Sequence, residues 1–375
     1  MNIAVNTRIL LKNKLEGIGW FTFETMKRIT QGHPEHKFFF IFDRPYSKEF
    51  IFSDNIEPII IGPQARHPVL FYYWFEKSIP KVLDQINADI FISPDGYLSL
   101  RTNTKSIAVI HDISFMHNPK DFPVGIRNYY QYFFPRFAQK AKRIVTVSDF
   151  SKKDIVKKFK VKSKNIDVVY NGSNEIYKPS TKDEIIKTKN QFTNGKNFFV
   201  FVGALSPRKN VANLLSAFNN FKTQTKSEVR LVIVGEKMFK TRKMKDAFNQ
   251  MQFKNDVIFT GRRSPEDLKK LYGAALALTF VPYFEGFGIP IIEAMNCDTA
   301  VITSNLTSMP EVAGDAALLV DPFSVESISD AMTNIYSDNN LRNNLIEKGK
   351  IQRTKFSWDQ TASKFWKSIE KVLDE

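Results

Sequence analysis

Six short apolar runs follow one another through the second half of the chain: "FFVFVG" (198–203), "VRLVIVG" (229–235), "VIFTG" (257–261), "ALALTFV" (275–281), "AVITS" (300–304) and "ALLV" (317–320). Each has the length of a strand and is rich in Val, Ile, Leu and Phe instead of alternating apolar with polar residues. Strands buried on both faces read this way, and parallel strands need crossovers of helix length, which the intervening segments supply. "NVANLLSAFNNF" and "SPEDLKKLY" are two such segments; in the second, Ser264 is placed to cap and Pro265 to occupy the first turn. The first half repeats the theme at "NIAVN", "KFFFIF", "EPIIIG", "DIFIS", "SIAVIHD", "RIVTVS" and "IDVVYNG". The expected class is α/β, with two doubly wound, Rossmann-like units, since 375 residues exceed what one hydrophobic core usually serves. The stretch 173–195 is polar and broken by Pro179 and Gly195, so it is read as the join between a first domain over 1–175 and a second over 190–355.

A net charge of +15 favours anionic partners and does not by itself choose among nucleic acid, an acidic membrane surface and phosphorylated substrates. The densest basic run, "KKDIVKKFKVKSK" (152–164), suits either a solvated helix face or attachment to an anionic membrane. No apolar run has the length of a bilayer span, and the sequence opens on a strand pattern instead of a secretory signal. A cytoplasmic place is expected, with a peripheral one at the inner membrane face left open. The single cysteine, Cys297, allows no internal disulfide and is read as a small buried helix residue. No Asp-x-Asp is present to hold a metal against a nucleotide diphosphate, so neither metal nor cofactor is expected, and the missing G-x-x-x-x-G-K-[ST] argues against an ATPase.

The stretch "YFEGFGIPIIEAM" (283–295) places Glu285 and Glu293 on either side of a Gly-Phe-Gly turn that leads from a buried strand into a helix with Pro290 in its first turn. Ligands of open α/β sheets bind at such strand ends. Gly286 and Gly288 let a ligand approach the backbone, and the amides at the helix start, around Ile289, suit an anion. The two glutamates would accept hydrogen bonds from hydroxyls instead of binding phosphate. "FVGALSPRKN" (201–210) adds Arg208 and Lys209 at another strand end, a cationic pair able to clamp a diphosphate.

Taken with "MPEVAGDAALLVDP", "EGIGW", "VIHD" and "VTVSDFSKKDI" in that family's order, these motifs resemble the family 4 retaining glycosyltransferases of the GT-B fold, over nearly the whole chain. The resemblance implies two Rossmann-like domains facing across a cleft, with a C-terminal helix (356–375) crossing back to the first. It implies that Glu293 holds the ribose of a nucleotide sugar and that Glu285 orients the transferred sugar. Gly286, Phe287, Gly288 and Ile289 would present backbone to sugar and phosphate, and Lys209 would meet the diphosphate. Many relatives carry arginine where this chain has Ala204; Arg208 is the residue that would supply the second cation. His111, at the end of a strand, matches a histidine near the donor hexose and the acceptor. Gly17 and Gly19 open a glycine loop that misses the dinucleotide fingerprint at Thr22 and, in the family, borders donor phosphate and acceptor.

The function so implied is retaining transfer of a hexose from a nucleotide diphosphate sugar, with GDP-mannose preferred, to a hydroxyl of a glycan or lipid-linked acceptor in cell-surface polysaccharide synthesis. The catalytic set is His111, Glu285, Lys209 and Arg208, with no metal. Front-face attack by the acceptor, its proton passing to the departing phosphate, fits better than a covalent intermediate, because both glutamates are committed to hydroxyls. The aromatic stretches "FYYWF" (71–75) and "YYQYFFP" (129–135) are read as core before acceptor contacts. A non-hydrolysing nucleotide-sugar epimerase of GT-B fold would release nucleotide without acceptor. A basic nucleic-acid-binding protein would show steep salt dependence, but no helix-turn-helix, zinc or RNA-binding aromatic signature is present, and nucleic acid is not an expected partner.

Overall fold

The computed structural model describes residues 1–236 and 242–374. Seven parallel strands form the first sheet: β1 (Asn2–Asn6), β2 (Lys37–Phe42), β3 (Ile56–Ile60), β4 (Ile90–Ser93), β5 (Lys105–Val109), β6 (Arg143–Thr146) and β7 (Ile166–Val168), in the order β3-β2-β1-β4-β5-β6-β7. Six form the second: β8 (Phe198–Val202), β9 (Arg230–Val234), β10 (Val257–Gly261), β11 (Ala277–Phe280), β12 (Ala300–Ser304) and β13 (Ala317–Val320), in the order β10-β9-β8-β11-β12-β13. The continuous apolar runs are what a sheet covered on both faces requires: β8 is buried along its whole length, and β2 everywhere but Lys37. In each sheet the strand order reverses once, between β1 and β4 and between β8 and β11, where chain crossovers go to opposite sides and leave a crevice at the carboxyl ends.

The chain divides into one unit of residues 1–172 with 357–375 and another of 173–356. It leaves the first unit at Gly172 and re-enters at Ser357, and these points touch: a Cβ on Gly172 would stand 2.3 Å from the Trp358 backbone nitrogen, so only glycine fits there. The re-entering helix, Trp358–Leu373, packs on the helix Gly17–Gly32 through Phe21 and Phe365, whose ring centroids are 5.7 Å apart, and through His33 stacked at 3.6 Å on Trp366. Its Thr361 hydroxyl donates to the Tyr170 carbonyl at 2.7 Å, and Lys371 pairs with Asp167 at 3.2 Å.

The segment 173–195 is not a bare linker. It carries the helix Lys182–Thr193, opened by a reciprocal cap in which Thr181 accepts from the Glu184 amide at 3.2 Å and Glu184 accepts from the Thr181 amide at 2.8 Å. The aromatic stretches divide: Phe71, Trp74, Phe75, Tyr129 and Phe134 are core, while Tyr72, Tyr73 and Tyr132 are exposed. The basic run begins on the helix Asp149–Phe159, which buries Ile155 and Phe159 and turns Lys153, Lys157 and Lys158 to solvent. Among the described residues no helix is long and apolar enough to cross a membrane.

Candidate functional site

The loops that follow β8 and β11 meet at the switch point of the second sheet, because those two strands are neighbours. After β8 the chain makes a single tight turn, Pro207–Lys209, and then Asn210 in the left-handed conformation (φ 60°) before the helix Val211–Thr225. Asparagine tolerates that conformation, and its side-chain amide donates to the carbonyls of Val281 (3.1 Å) and Pro322 (2.6 Å), tying this loop to those after β11 and β13. The Tyr283 amide donates to the Arg208 carbonyl at 3.0 Å and completes the tie.

Within this frame Lys209 Nζ lies 2.5 Å from Glu285 Oε1 and 4.6 Å from the centre of the Phe280 ring. Arg208 pairs with the same oxygen of Glu285, and its guanidinium also donates to the Phe284 carbonyl at 3.3 Å. Lys209 and Glu285 are buried, so removal of Glu285 would leave Lys209 inside the protein without that carboxylate, a change that typically costs about 3–5 kcal/mol, whereas removal of Lys209 leaves Glu285 paired with Arg208. Two cations share one carboxylate, and the three groups sum to one positive charge.

The backbone beyond Glu285 is fixed by two residues that sequence reading missed. The Ser308 hydroxyl lies 2.9 Å from the Glu285 carbonyl and 3.2 Å from that of Phe287, and the Glu285 amide donates to Thr307 Oγ1 at 3.4 Å. Gly288 turns the chain at φ 101° into the helix Ile289–Asn296, and a side chain there would strike Met309, 2.7 Å from the position of a Cβ. Gly286, Phe287, Gly288 and Ile289 therefore form the turn and helix start expected of them; Pro290 carries no N–H and the Ile291 amide donates to the Gly288 carbonyl at 3.0 Å, which leaves the Ile289 amide at the helix start.

Glu293 stands one turn beyond Ile289 on the same helix face. Its carboxyl accepts from the Tyr272 hydroxyl at 2.9 Å, and the Tyr177 ring packs edge-on against Tyr272 with centroids 5.8 Å apart. Burial pushes Glu293 up to about 7, against the pull of the neighbouring phenols, although the side chain is not wholly covered. Neither tyrosine carried a motif, and only the fold brings residues 177, 272 and 293 together. Cys297 closes the same helix; it is a free, buried thiol, and burial pushes it up to about 12.

With this geometry in place, the family models match in sequence order: the Family 4 glycosyltransferase model over residues 17–175 and the group 1 glycosyl transferase model over 182–352. O-antigen chain mannosyltransferase B of Escherichia coli is 30% identical over 271 residues, 72% of this chain and 71% of that protein. The chain belongs to the family 4 glycosyltransferases. O-antigen chain mannosyltransferase RfbU of Salmonella typhimurium is 31% identical over 226 residues, and that match spans 60% of this chain and 59% of the relative. Sucrose-phosphate synthase from Thermosynechococcus elongatus superposes with a TM-score of 0.80 at 16% identity, over 100% of this chain and 99% of that one, and shows the GT-B fold.

The remaining predicted residues of this glycosyltransferase lie in the first unit. Gly17 and Gly19 do not form a loop: both are in the first turn of the helix Gly17–Gly32, which starts after Glu16, and neither has a positive φ. Ile18 and Trp20 continue a helical pattern, and Gly19 allows close approach of Leu15 and the Ile9 carbonyl. His111 lies two residues past the end of β5. Its Nε2 donates to the Pro94 carbonyl at 2.9 Å, Phe21 meets its ring edge-on at 5.0 Å, and burial lowers its basicity, so the neutral ring leaves Nδ1 as an acceptor. At the switch point of this sheet Arg8 pairs with Asp95 at 2.8 Å, a contact no motif announced.

Proposed function

We propose that this glycosyltransferase moves a hexose, with retention of configuration and without a metal ion, from a nucleotide diphosphate sugar to a hydroxyl of a glycan or lipid-linked acceptor in cell-surface polysaccharide synthesis. GDP-mannose is the preferred donor, a reading supported by the printed activities of the two O-antigen relatives. The observation that carries the proposal is the convergence of Arg208 and Lys209 on Glu285 beside the start of the helix Ile289–Asn296, at the switch point of the second sheet. A diphosphate placed there meets fixed positive charge and the amide at the helix start, and Glu293, roughly 6 Å further along the helix by its rise, is a turn away for the ribose.

As the bond between the anomeric carbon and the phosphate oxygen breaks, negative charge grows on the diphosphate, and stabilisation there lowers the barrier. Arg208 and Lys209 supply it. Arg208 then serves in place of the arginine that Ala204 replaces. Glu285, already engaged by both cations, orients the sugar instead of attacking it. The acceptor oxygen bonds the anomeric carbon on the face from which the phosphate leaves, and its proton passes to the departing phosphate oxygen. His111, neutral, offers Nδ1 to a sugar hydroxyl. The exposed lysines of the helix Asp149–Phe159 suit an anionic membrane that carries a lipid-linked acceptor.

The test incubates the purified protein in EDTA with GDP-mannose, UDP-glucose, dTDP-rhamnose or an ADP-sugar, adds lipid-linked glycan, and follows nucleoside diphosphate release and product configuration by NMR. Acceptor-dependent release of GDP with an α-linked product is expected. An inverted product, a metal requirement, or release that ignores the acceptor contradicts the proposal.

A further inference from the structure

Glu293 is held more elaborately than a hydroxyl-binding carboxylate at a helix surface needs to be. Tyr272, fully buried at the end of the helix Pro265–Ala274, donates to it at 2.9 Å, and the Tyr272 carbonyl is in turn bound by the Thr299 hydroxyl at 2.7 Å. Tyr177, on the segment that enters the second unit at Ser173, packs its ring edge-on against Tyr272 with centroids 5.8 Å apart. That segment is itself pinned: the Tyr177 amide donates to the Asn174 carbonyl at 3.1 Å, Ser180 packs where a side chain on Gly273 would have to stand, and the Lys178 backbone meets Cys297. Burial pushes both phenols up, so they stay protonated, and Tyr272 acts as a donor.

We propose that Tyr272, braced by the ring of Tyr177, is a positioning residue for the donor's ribose, fixing the Glu293 carboxyl so that its remaining lone pairs face the 2′ and 3′ hydroxyls. A carboxylate offers about four acceptor positions; the Tyr272 hydroxyl occupies one and leaves enough for a vicinal diol. The phenols also offset the burial that works against the ionised form, the form that accepts from both hydroxyls. The inference rests on the nucleotide-sugar reading of this site and adds to it the braced tyrosine that gives the site its preference for a ribose over a sugar without hydroxyls. Tyrosine suits the task because its ring is held by packing while the hydroxyl alone makes the bond.

The experiment compares binding of GDP and 2′,3′-dideoxy-GDP, with the uridine pair alongside, by calorimetry on wild type, Tyr177→Phe, Tyr272→Phe and the double variant, each checked by its melting temperature. The wild type should prefer the ribonucleotide by roughly tenfold or more, the usual worth of hydrogen bonds to a charged group. Tyr272→Phe should lose most of that preference while its affinity for the dideoxy nucleotide stays within about twofold, and Tyr177→Phe, which keeps the bracing ring, should lose less. A preference that survives in Tyr272→Phe overturns the proposal, and so does equal weakening of both nucleotides, which marks a structural role. If the double variant does not fold, the single variants decide. A wild type that binds the two nucleotides alike removes Glu293 from the ribose and takes the proposal with it, whereas a discriminating wild type with unaltered variants sinks the tyrosine role alone.

Discussion

Each unit places a cation and a carboxylate at its own switch point, and the two pairs are built to different ends. In the first, Arg8 pairs with Asp95, donates to the Ala65 carbonyl at 3.2 Å, and lies between 4.6 and 5.6 Å from the ring centres of Tyr97, Phe71 and Phe75. Asp95 also accepts from Asn6 at 2.8 Å and Ser93 at 3.0 Å. The pair is balanced in charge and walled by aromatic rings. In the second, two cations, Arg208 and Lys209, converge on the one carboxylate of Glu285, and the Arg208 side chain is 28% exposed against 11% for Arg8. A charge pair at a strand end is thus no sign of a ligand site by itself; two cations converging within reach of solvent are.

Four changes would break or sharpen that contrast. Lys209→Ala should lower kcat/KM by about two to three orders of magnitude with the circular dichroism spectrum unchanged, since it removes a group aimed at the developing charge; activity near wild type would put the diphosphate elsewhere. Arg8→Met should act the other way round, lowering stability by about 3–5 kcal/mol in denaturant titration because Asp95 is left buried and unpaired; a stable protein with lost activity would make the first pair a ligand site after all. Arg208→Ala should cost roughly tenfold in kcat/KM, less than Lys209→Ala, because its guanidinium is the more exposed of the two; if the loss equals or exceeds that of Lys209, Arg208 is the main cation.

The smallest effect concerns Glu293 and depends on pH. Its carboxyl holds a proton up to about 7 in the folded protein, well above an unfolded glutamate near 4.3. The folded state therefore binds that proton more tightly, and the stability this gives is complete below about pH 4 and lost as pH rises to about 7. Glu293→Gln, which keeps an acceptor for Tyr272, should be more stable than wild type by about 2 kcal/mol at pH 8, allowing for partial solvent screening, and nearly equal to it at pH 4.5. Parallel melting curves across that range would show the carboxyl to be ordinary.

Much of this was legible in the sequence because parallel strands buried on both faces declare themselves as continuous apolar runs, and each of β1 to β13 coincides with one of them. The site loops were legible for a related reason: "PRKN" and "EGFGIPIIE" each directly follow a strand, so their residues had to lie at its carboxyl end. What did not show was anything set by distant parts of the chain. Tyr177, Tyr272, Thr307 and Ser308 act on the site through tertiary packing and carry no local pattern. The helix Lys182–Thr193 was hidden by polar composition, although "TKDE" at 181–184 is a capping signature that outweighs it. Gly17 and Gly19 misled in the opposite direction, because a glycine pair before a helix suggests a loop, whereas here the helix begins with it.

The most direct test of the central claim is a thermal-shift titration of wild type and Lys209→Ala with GDP-, UDP-, dTDP- and ADP-sugars in EDTA, since a ligand that binds only the folded protein raises its melting temperature. The account predicts a clear rise with one nucleotide sugar, GDP-mannose first among them, in the wild type, and its loss in the variant. No rise with any of them, or the same rise in both proteins, would contradict the assignment of the second switch point as the donor site.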